Sequence, residues 1–379
     1  MLLPYGHQSI DDADIAAVVE VLHSDWLTTG PVVPRFEEAV AAFAGARYGV
    51  AVSSGTAALH AAMYAAGIGP GDEVIVPPIT FVATANAVVF QGATPVFADV
   101  EPETLLLNPA AAEARITPRT KAIVAVDYAG QPCDYEALSA IARNHGLTLI
   151  ADACHSLGAT YRGRPVGTLA DLTVFSFHPV KHITTGEGGM VVTDRADFRA
   201  RMAGFRNHGI DTDHRQRAER GSWFYEMQDL GYNYRITDFQ CALGLSQLAK
   251  LPEWIIRRRE IAQYYDSALA DVSTMCPLRR RADVGHAYHL YVVRLDFAGL
   301  KPDRQTVFRS FRECGVGVNV HYIPVHLHRY YRQRFGTGPG LCPIAEQAYE
   351  RLLTLPLFPV MTGQDVQRVL DACRGIGEP

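Results

Sequence analysis

The sequence predicts an α/β protein whose central sheet is mostly parallel. Short apolar runs alternate with helical patterns over the first two thirds of the chain, an arrangement typical of parallel sheets. The runs are rich in Val, Ile and Ala and lack polar alternation, which indicates a sheet that is buried on both faces. A chain of 379 residues is long enough for two or three domains of about 150 residues each.

Seven strands are predicted from these apolar runs, and the stretches between several of them have helical character. The helix predicted at Asp134–Asn144 is an example, because it carries apolar residues at Leu138, Ile141 and Ala142. The predicted strands are Tyr48–Val52, Glu73–Val76, Pro95–Ala98, Ala122–Asp127, Leu147–Asp152, Leu172–Phe175 and Met190–Val192.

A polar segment follows this region. Asp211–Ser222 contains almost no apolar residues and predicts a long exposed loop. Helical character resumes over Asp238–Leu251 and is expected to end at Pro252, because proline lacks the N–H that a helix interior needs. A second long helix is expected after it, with the basic run Arg257–Arg259 on a solvated face.

The last third of the chain predicts a smaller α+β domain. We place the boundary near residue 250, with a large domain over 1–250 and a small C-terminal domain over 251–379. Strand-like and helix-like runs both occur in the small domain: His289–Leu295 and Gly317–His321 are strand-like, and Arg304–Cys314 and Gln364–Cys373 are helix-like.

Composition and charge exclude several classes of protein. Hydrophobic residues make up 48% and charged residues 20% of the chain, which is ordinary for a globular protein and unlike a disordered chain, a collagen or a coiled coil. The formal net charge of −5 argues against a sequence-independent grip on nucleic acid, which needs a strong basic excess.

The cysteines and the N-terminal segment bear on the compartment. Seven cysteines occur without a CxxC pair, so neither a disulfide framework nor a metal cluster is expected, and reduced thiols in the cytoplasm fit best. The N-terminal segment has no basic flank followed by a long apolar run, so a signal peptide is not expected. An uninterrupted apolar run of about 18 residues is also missing, so we expect no membrane span.

Lysine usage is informative in this chain. Lys and Arg total 35, but lysine occurs at positions 121, 181, 250 and 301 alone. Arginine can replace lysine at most solvated positions, but not where an amine must lose its proton and attack a carbonyl. Each lysine is therefore a candidate for chemistry, although ordinary surface roles explain most lysines.

Polar and aromatic residues follow the predicted strands, where ligands bind in open α/β sheets. Ser53–Thr56 opens a helix after the first strand and offers backbone N–H groups to a phosphate, although such turns also cap helices. Phe81 follows the second strand and can stack on a flat ring, although phenylalanine is commonly a core residue. Asp152 ends the fifth strand, where it needs a cation or several donors to stay ionised.

Lys181 follows the sixth strand. The glycine-rich turn Gly186–Gly189 comes after it and lets the backbone pass close to a ligand. A surface salt bridge is the alternative for Lys181 alone. Together, however, a phosphate site, a stacking aromatic ring, a buried Asp and a Lys at one rim are the groups that pyridoxal phosphate needs.

The motifs around these residues resemble those of the fold-type-I, pyridoxal-phosphate-dependent nucleotide-sugar aminotransferases, the DegT/DnrJ type. The resemblance covers essentially the whole chain and is most marked toward the 4-aminotransferases of pseudaminic acid biosynthesis. It rests on SSGTAAL (53–59), PPITFVATANA (77–87), VDYAGQPCD (126–134), ADACHSLGA (151–159), FSFHPVKHITTGEGG (175–189), RNHG (206–209), GYNYRITDFQCALG (231–244) and VHYIPVH (320–326).

The resemblance implies roles for the cofactor site. Lys181 would bind the cofactor aldehyde covalently and later shuttle a proton between the donor's Cα and the C4′ carbon of the cofactor. Asp152 would pair with the pyridinium nitrogen, Phe81 would stack on the ring, and His155 would hydrogen-bond near the ring hydroxyl. The phosphate would be held by Gly55, Thr56, Ala57 and Ser176.

The resemblance also implies a homodimer with shared sites, in which Asn233 reaches the phosphate of the neighbouring subunit. Weaker candidates for contacts with the sugar nucleotide are Tyr5, Thr29, His321 and Tyr322.

Several other residues were weighed for function. Some relatives have Pro where this chain has His182, and we interpret this histidine as a loop residue without a catalytic role. His321, His326 and His328 have no acidic or cysteine partner nearby in sequence, so a metal site is not expected. No GxGxxG pattern follows the first strand, which argues against a nicotinamide enzyme.

The resemblance implies transamination of a nucleotide-linked 4-keto-6-deoxy sugar with L-glutamate as amino donor. In the pseudaminic acid pathway the acceptor is a UDP-4-keto-6-deoxy-N-acetyl-hexosamine, and the product is UDP-4-amino-4,6-dideoxy-N-acetyl-β-L-altrosamine. One alternative is the same chemistry on another UDP-, dTDP- or GDP-ketosugar, or on a cyclitol. A second alternative, a non-catalytic regulatory or DNA-binding protein on the same fold, is disfavoured by the acidic charge balance.

Overall fold

A seven-stranded sheet flanked by helices lies at the centre of the molecule, in a computed structural model that describes residues 2–212, 214–297 and 303–376. Lys301 lies outside these residues. The strands are β1 (Tyr48–Val52), β2 (Glu73–Val76), β3 (Thr94–Phe97), β4 (Thr120–Val126), β5 (Thr148–Asp152), β6 (Thr160–Tyr161), β7 (Arg164–Pro165), β8 (Leu172–Ser176), β9 (Gly189–Thr193), β10 (Met275–Pro277), β11 (Val284–Gly285), β12 (Tyr291–Leu295) and β13 (Leu352–Leu355).

Helices flank the sheet, and others build the C-terminal part of the chain. They are α1 (Asp12–Leu22), α2 (Val32–Ala44), α3 (Gly55–Ala65), α4 (Ala83–Phe90), α5 (Pro109–Glu113), α6 (Tyr135–His145), α7 (Ala196–Phe205), α8 (His214–Glu219), α9 (Asp238–Leu269), α10 (Arg304–Glu313), α11 (Arg329–Phe335), α12 (Pro343–Tyr349) and α13 (Gly363–Arg374). Short 3₁₀ turns occur at Tyr128–Gly130, Val166–Thr168 and Val325–Leu327.

The order of strands in the large sheet is β1-β9-β8-β5-β4-β2-β3. Strand β9 runs antiparallel to both of its neighbours, and the other pairs are parallel. The seven strands are those that the sequence predicts, with ends that differ by at most two residues, so the predicted fold class is confirmed. Because parallel strands share one carboxyl edge, the residues after β1, β2, β5 and β8 meet there.

Helix α9 corrects the prediction that a helix ends at Pro252. The helix continues through this proline to Leu269. Proline removes one backbone hydrogen bond, but Leu251 and Ile255 on either side of it are buried in the core. We infer that the burial of these side chains outweighs the free-energy cost of the proline. The predicted boundary near residue 250 falls inside this helix and stays a prediction.

Arg258 is a second correction on α9. Instead of lying on a solvated face, its side chain is 2% exposed, and its Nη1 donates to the carbonyls of Tyr288 and Leu357 at 3.1 and 3.0 Å. Burial lowers the pKa of this guanidinium to about 10. The neighbouring Arg257 keeps an exposed ion pair with Glu260.

Two further segments differ from the sequence-based expectation. The stretch Asp211–Ser222, which we predicted to be a loop, contains the short helix α8. The stretch Gly317–His321, which we predicted to be a strand, makes isolated bridges, since Asn319 pairs with Thr354 and the preceding Val316 pairs with Leu3. Short polar helices are hard to recognise because periodicity needs about two turns to be visible.

The N-terminal residues pack onto the C-terminal part of the chain. The backbone N–H of Leu3 donates to Gly315, and its carbonyl accepts from Gly317. The carbonyl of Tyr5 accepts a bond from Leu357 N–H. Leu3 also belongs to the second apolar cluster, which is otherwise built from residues after 260. Within the described residues, no helix is long and apolar enough to cross a membrane.

Candidate active site

The turn after β1 begins helix α3 at the carboxyl edge of the sheet. Ser54 caps α3, and its Oγ accepts from Ala57 N–H at 3.1 Å. Ser176 at the end of β8 packs against this turn, because a Cβ added at Gly55 would lie 2.8 Å from Ser176 Cβ and 3.0 Å from its Oγ. The first N–H groups of a helix have no intrahelical partner and lie at the positive end of its dipole. Gly55, Thr56, Ala57 and Ser176 thus lie around one turn, and their role in holding a phosphate stays a prediction.

Asp152 lies at the carboxyl end of β5 and is buried. Its Oδ2 accepts a hydrogen bond of 2.6 Å from the Thr84 hydroxyl, and its Oδ1 accepts one of 3.3 Å from Cys154 N–H. These are the donors that the sequence argument required for an ionised carboxylate at a strand end. Thr84 was not identified from the sequence, because it is separated from Asp152 by 68 residues.

Lys181 follows β8, and its amine lies close enough to Asp152 and Cys154 to interact with them electrostatically. Burial lowers the pKa of this amine, while Cys154 and Asp152 act in the opposite direction. Its Nζ lies 3.4 Å from Nε2 of His289. A lysine with a depressed pKa supplies free amine at lower pH, which attack on a carbonyl requires. The other described lysines differ: Lys121 is exposed, and Lys250 pairs with Asp11 and Asp14.

Aromatic side chains line another part of the site. His155 is buried, and its Nε2 lies 3.2 Å from the hydroxyl of Tyr322. Burial, with smaller contributions from Lys181 and two histidines, holds the pKa of His155 well below its ordinary value, so this ring is neutral. Phe81 is 57% exposed and lies 6.0 Å from the Tyr322 ring. Its face is available to a flat ligand, so the reading of Phe81 as a core residue is wrong.

His289 is a residue of this site that the sequence argument missed. Its ring lies 4.3 Å from that of His155 and 5.6 Å from that of His182. It precedes β12, far from the other site residues along the chain, and we assigned it to a strand. A histidine at the start of an apolar run carries no local signal of function.

The substrate candidates fall into two groups. Tyr5 lies 5.0 Å from the His321 ring, and His321 adjoins Tyr322, so these three residues line the region next to His155. Thr29 lies elsewhere and lines a cavity of about 660 Å³ with Asn207 and Arg235. Asn233 is exposed and forms an isolated β-bridge with Asn207, which lines this cavity.

Hydrogen-bond contacts also hold His182, His321 and His326. His182 is buried, with its Nε2 3.1 Å from the carbonyl of Ala287. His321 lies 2.8 Å from the Thr354 hydroxyl through Nδ1. His326 is paired with Glu346 at 2.9 Å, an acidic partner that we did not foresee because it is 20 residues away. His321 and His326, which lie close in sequence, thus make separate contacts.

These residues fit pyridoxal phosphate. Gly55 provides the cradle that a side chain would fill, and Asp152 is an anchored carboxylate. Lys181 provides an amine with a depressed pKa, and Nδ1 of His155 is a buried polar atom with no partner among the described residues. An arrangement of this kind can hold a phosphate, an aldehyde and a protonated ring nitrogen at once.

Comparison with known proteins agrees with this site. The profile of the DegT/DnrJ/EryC1/StrS aminotransferase family matches residues 8–374. The spore coat polysaccharide biosynthesis protein SpsC of Bacillus subtilis is 43% identical over 376 residues, which cover 99% of this chain and 97% of that protein.

Solved structures resemble the chain over nearly its whole length. PseC of Helicobacter pylori, an aminotransferase involved in the biosynthesis of pseudaminic acid, is 34% identical with a TM-score of 0.91, covering 99% of this chain and 98% of that one. A putative sugar aminotransferase, Spr1654 of Streptococcus pneumoniae, is known in PLP and PMP forms at 31% identity and a TM-score of 0.91, covering 98% of both chains. The match over residues 8–374 makes this chain a pyridoxal-phosphate-dependent sugar aminotransferase of the DegT/DnrJ/EryC1/StrS family.

Proposed function

We propose that this aminotransferase moves the amino group of L-glutamate to C4 of a nucleotide-linked 4-keto-6-deoxy sugar. The observation that carries the proposal is the convergence of Lys181, Asp152 and the α3 turn at the carboxyl edge of the sheet. Both half-reactions use one site, so donor and acceptor bind in turn and the kinetics are ping-pong. We place this activity in the cytoplasm.

Each residue has a distinct task in this proposal. The bound cofactor supplies an aldehyde and an electron sink. The Lys181 amine removes the proton from Cα of the amino donor and delivers it to C4′, which requires an uncharged amine. Burial favours that uncharged form. Asp152, held by Thr84, keeps the ring nitrogen protonated, and Phe81 covers the ring.

The phosphate is assigned to the α3 turn. The N–H groups of Gly55 and Thr56 and the hydroxyl of Ser176 supply donors without a formal charge, and Ala57 N–H, which donates to Ser54 Oγ, would share its proton with the phosphate. They add to the positive end of the helix dipole. His155 reaches the ring hydroxyl with its unpartnered Nδ1, while its Nε2 stays with Tyr322.

The acceptor we propose is a UDP-4-keto-6-deoxy-N-acetyl-hexosamine, which the transfer converts to UDP-4-amino-4,6-dideoxy-N-acetyl-β-L-altrosamine. The likeness to PseC over 99% of this chain supports a role in pseudaminic acid biosynthesis. Tyr5, His321 and Tyr322 lie beside the cofactor residues, where the sugar must enter.

We further propose a homodimer in which each subunit completes the other's site through Asn233. Three features support it. Asn233 is exposed, and its neighbour Asn207 lines the same cavity as Thr29. The segment just before it carries a row of exposed apolar side chains, among them Trp223 at 86% exposure. Such patches mark surfaces that associate. The other members are Phe224, Tyr225, Met227, Leu230 and Tyr232.

A second candidate is the same transfer to another UDP-, dTDP- or GDP-linked ketosugar. This candidate is supported by the 43% identity to SpsC, which takes part in the biosynthesis of a different product, spore coat polysaccharide. The cofactor residues do not discriminate between the two candidates, because the acceptor is recognised by loops around them.

The decisive experiment is a visible spectrum of the protein with cofactor, recorded before and after L-glutamate and then with each ketosugar. Glutamate should bleach the band of the lysine-bound cofactor, and the true acceptor should restore it. Restoration by the UDP-N-acetyl-hexosamine derivative supports the first candidate, and restoration by a dTDP- or GDP-sugar supports the second. A band that glutamate leaves unchanged would contradict the proposed donor.

A further inference from the structure

His289 is a buried histidine whose ring meets the amine of Lys181. Its Nε2 lies 3.4 Å from Lys181 Nζ, and the side chain belongs to a residue that is 5% exposed. Its Nδ1 is buried and has no hydrogen-bond partner within the part of the chain that the structure describes. Among the described residues, Nδ1 therefore makes no hydrogen bond that would turn the ring away from Lys181.

The backbone around His289 is held in place from several sides. Ala287 N–H donates to Gly130 at 2.9 Å, and Leu290 N–H donates to Ala129 at 3.1 Å. Arg258 holds the carbonyl of Tyr288. A side chain at Gly130 would lie 2.8 Å from Tyr288 N and 2.9 Å from His289 N, so the close approach requires glycine.

Tyr288 itself has φ of 49°, a left-handed conformation that bulky residues rarely adopt. Such conformations persist where the surroundings enforce them, and they occur often at functional sites. We infer that the fold maintains this turn in order to aim His289 at the lysine.

The direction of the hydrogen bond follows from the protonation states, and it is fixed while Lys181 is an ammonium. Burial, followed by the charge of Lys181, holds the pKa of His289 well below its ordinary value, and His155, His182 and Arg258 act in the same direction. The imidazole is therefore neutral. A lysine ammonium has donors and no acceptor, so in its presence Nε2 of His289 must accept and the ring proton must be on Nδ1.

We propose that His289 is a positioning residue for Lys181: by accepting one N–H of the amine at Nε2, it turns the lone pair of the amine away from its own ring and toward the reacting carbon. The proposal rests on the proposed role of Lys181. His289 neither gains nor loses a proton in the reaction. It fixes the direction from which Lys181 takes one.

The test compares three variants. His289→Phe keeps a flat ring but removes the acceptor, and His289→Gln returns an acceptor as an amide oxygen. His60→Phe is the matched control, because His60 is equally buried but bonds to Tyr234 instead of a lysine. Circular dichroism checks that each variant folds. Should His289→Phe fail this check, His289→Met replaces it.

The first readout uses the cofactor-free protein. Acylation of Lys181 by acetic anhydride is measured against pH by peptide mass spectrometry. Without its acceptor the ammonium is less stable, so in His289→Phe the midpoint should fall by about one pH unit, and acylation below both midpoints should rise about tenfold. Asp152 and Cys154, which also face the amine, are unchanged in every variant.

The second readout is the rate at which L-glutamate converts the bound cofactor. In His289→Phe the lone pair of the Lys181 amine is no longer directed toward the reacting carbon, so this rate should fall about tenfold. The glutamate concentration at half-saturation should stay unchanged. The proposal is supported if His289→Phe is acylated faster and transfers the amino group more slowly than the wild type. His289→Gln should return both rates toward the wild-type values, and His60→Phe should change neither.

An acylation midpoint that does not move in His289→Phe, or that moves equally in His60→Phe, overturns the proposal. The proposed function is tested separately by reducing the cofactor-loaded protein with borohydride and locating the adduct. An adduct on a lysine other than Lys181 contradicts the proposed function, whereas acylation of the cofactor-free protein reports on His289 alone.

Discussion

The hydroxyl of Thr84 donates a hydrogen bond of 2.6 Å to Oδ2 of Asp152. Its own oxygen lies 2.7 Å from the hydroxyl of Thr80. A threonine has one proton to donate, and that of Thr84 goes to Asp152, so Thr80 must donate to Thr84. Two hydroxyls in series therefore hold the carboxylate that we assign to the cofactor's ring nitrogen.

Thr84→Val should weaken cofactor binding, because it removes the donor and keeps the side-chain shape. Hydrogen bonds to charged groups contribute about 1.5–3 kcal/mol, and part of this should appear as a roughly tenfold higher dissociation constant for pyridoxal phosphate. Thr84→Ser keeps the donor and should bind almost as the wild type does. Absorbance titration of the cofactor-free proteins measures both, and equal affinity in all three would refute the assignment.

Lys181→Arg should abolish transamination, because the guanidinium stays protonated and cannot act as a nucleophile or base. The measurement is the loss of the cofactor band on addition of glutamate. Lys250→Arg is the matched control, since Lys250 is paired with Asp11 and Asp14 and should be replaceable at no cost to activity. Near-normal turnover in Lys181→Arg would sink the mechanism.

Mixing two inactive variants should restore activity if the sites are shared between subunits. Lys181→Ala removes the amine, and Asn233→Ala removes the proposed contact with the neighbour's phosphate. Random reassociation gives mixed dimers in half of the assemblies, and each mixed dimer has one site with both residues intact. Activity near a quarter of the wild-type value is therefore expected, and a mixture that stays inactive would contradict the shared site.

Arg258→Met should destabilise the fold, since it leaves the carbonyls of Tyr288 and Leu357 without their charged donor. We expect a loss of roughly 2–4 kcal/mol in the free energy of unfolding. Arg257→Met, one residue earlier, removes an exposed pair with Glu260 and a half-buried bond to the carbonyl of Met361, and should cost about 1–2 kcal/mol. The free energies of unfolding of the two variants are measured in urea. Equal losses would show that the contacts of Arg258 with the two buried carbonyls contribute little to stability.

Asp127 should make stability depend on pH. This carboxyl is fully buried and accepts from Ser156, Tyr135 and Cys133 N–H at 2.6 to 2.9 Å. Burial raises its pKa from 3.8 to about 7, against the effect of these donors. The folded state therefore binds a proton that the unfolded state releases, and the resulting stability is present below about pH 4 and lost as the pH rises to about 7.

The measurement is the difference in unfolding free energy between the wild type and Asp127→Asn, which cannot titrate. From pH 4 to 7 the wild type should lose stability relative to the variant by up to about 1.4 kcal/mol per pH unit. A difference that is constant over this range would show that Asp127 stays ionised in the folded protein.

The sequence predicts the parts of the site that follow strands along the chain. Asp152 ends β5 and Lys181 lies a few residues after β8, and the sheet order brings the ends of these two strands together. Thr84 and His289 escaped detection because their partners are 68 and 108 residues away, and a threonine in a helix or a histidine before a strand has no local pattern of its own. Such contacts depend on how helices and turns pack, which periodicity does not encode.

The same limit explains the errors in the fold. Pro252 is a strong local signal for the end of a helix, yet the buried neighbours Leu251 and Ile255 keep α9 continuous. Arg258 belongs to a run of three arginines, and its burial depends on two carbonyls, of Tyr288 and Leu357, that lie 30 and 99 residues further along.

The pairing of the N-terminal residues with the C-terminal part sets an order in which the protein can be completed during synthesis. The backbone of Leu3 bonds to Gly315 and Gly317, and that of Tyr5 bonds to Leu357. The ribosome makes the N-terminal residues first, but their partners leave it last. The strands through β9 can pair while translation continues, whereas Tyr5 reaches its place beside His321 only when almost the whole chain has emerged. The nascent protein therefore places Tyr5, a proposed substrate contact, late in synthesis.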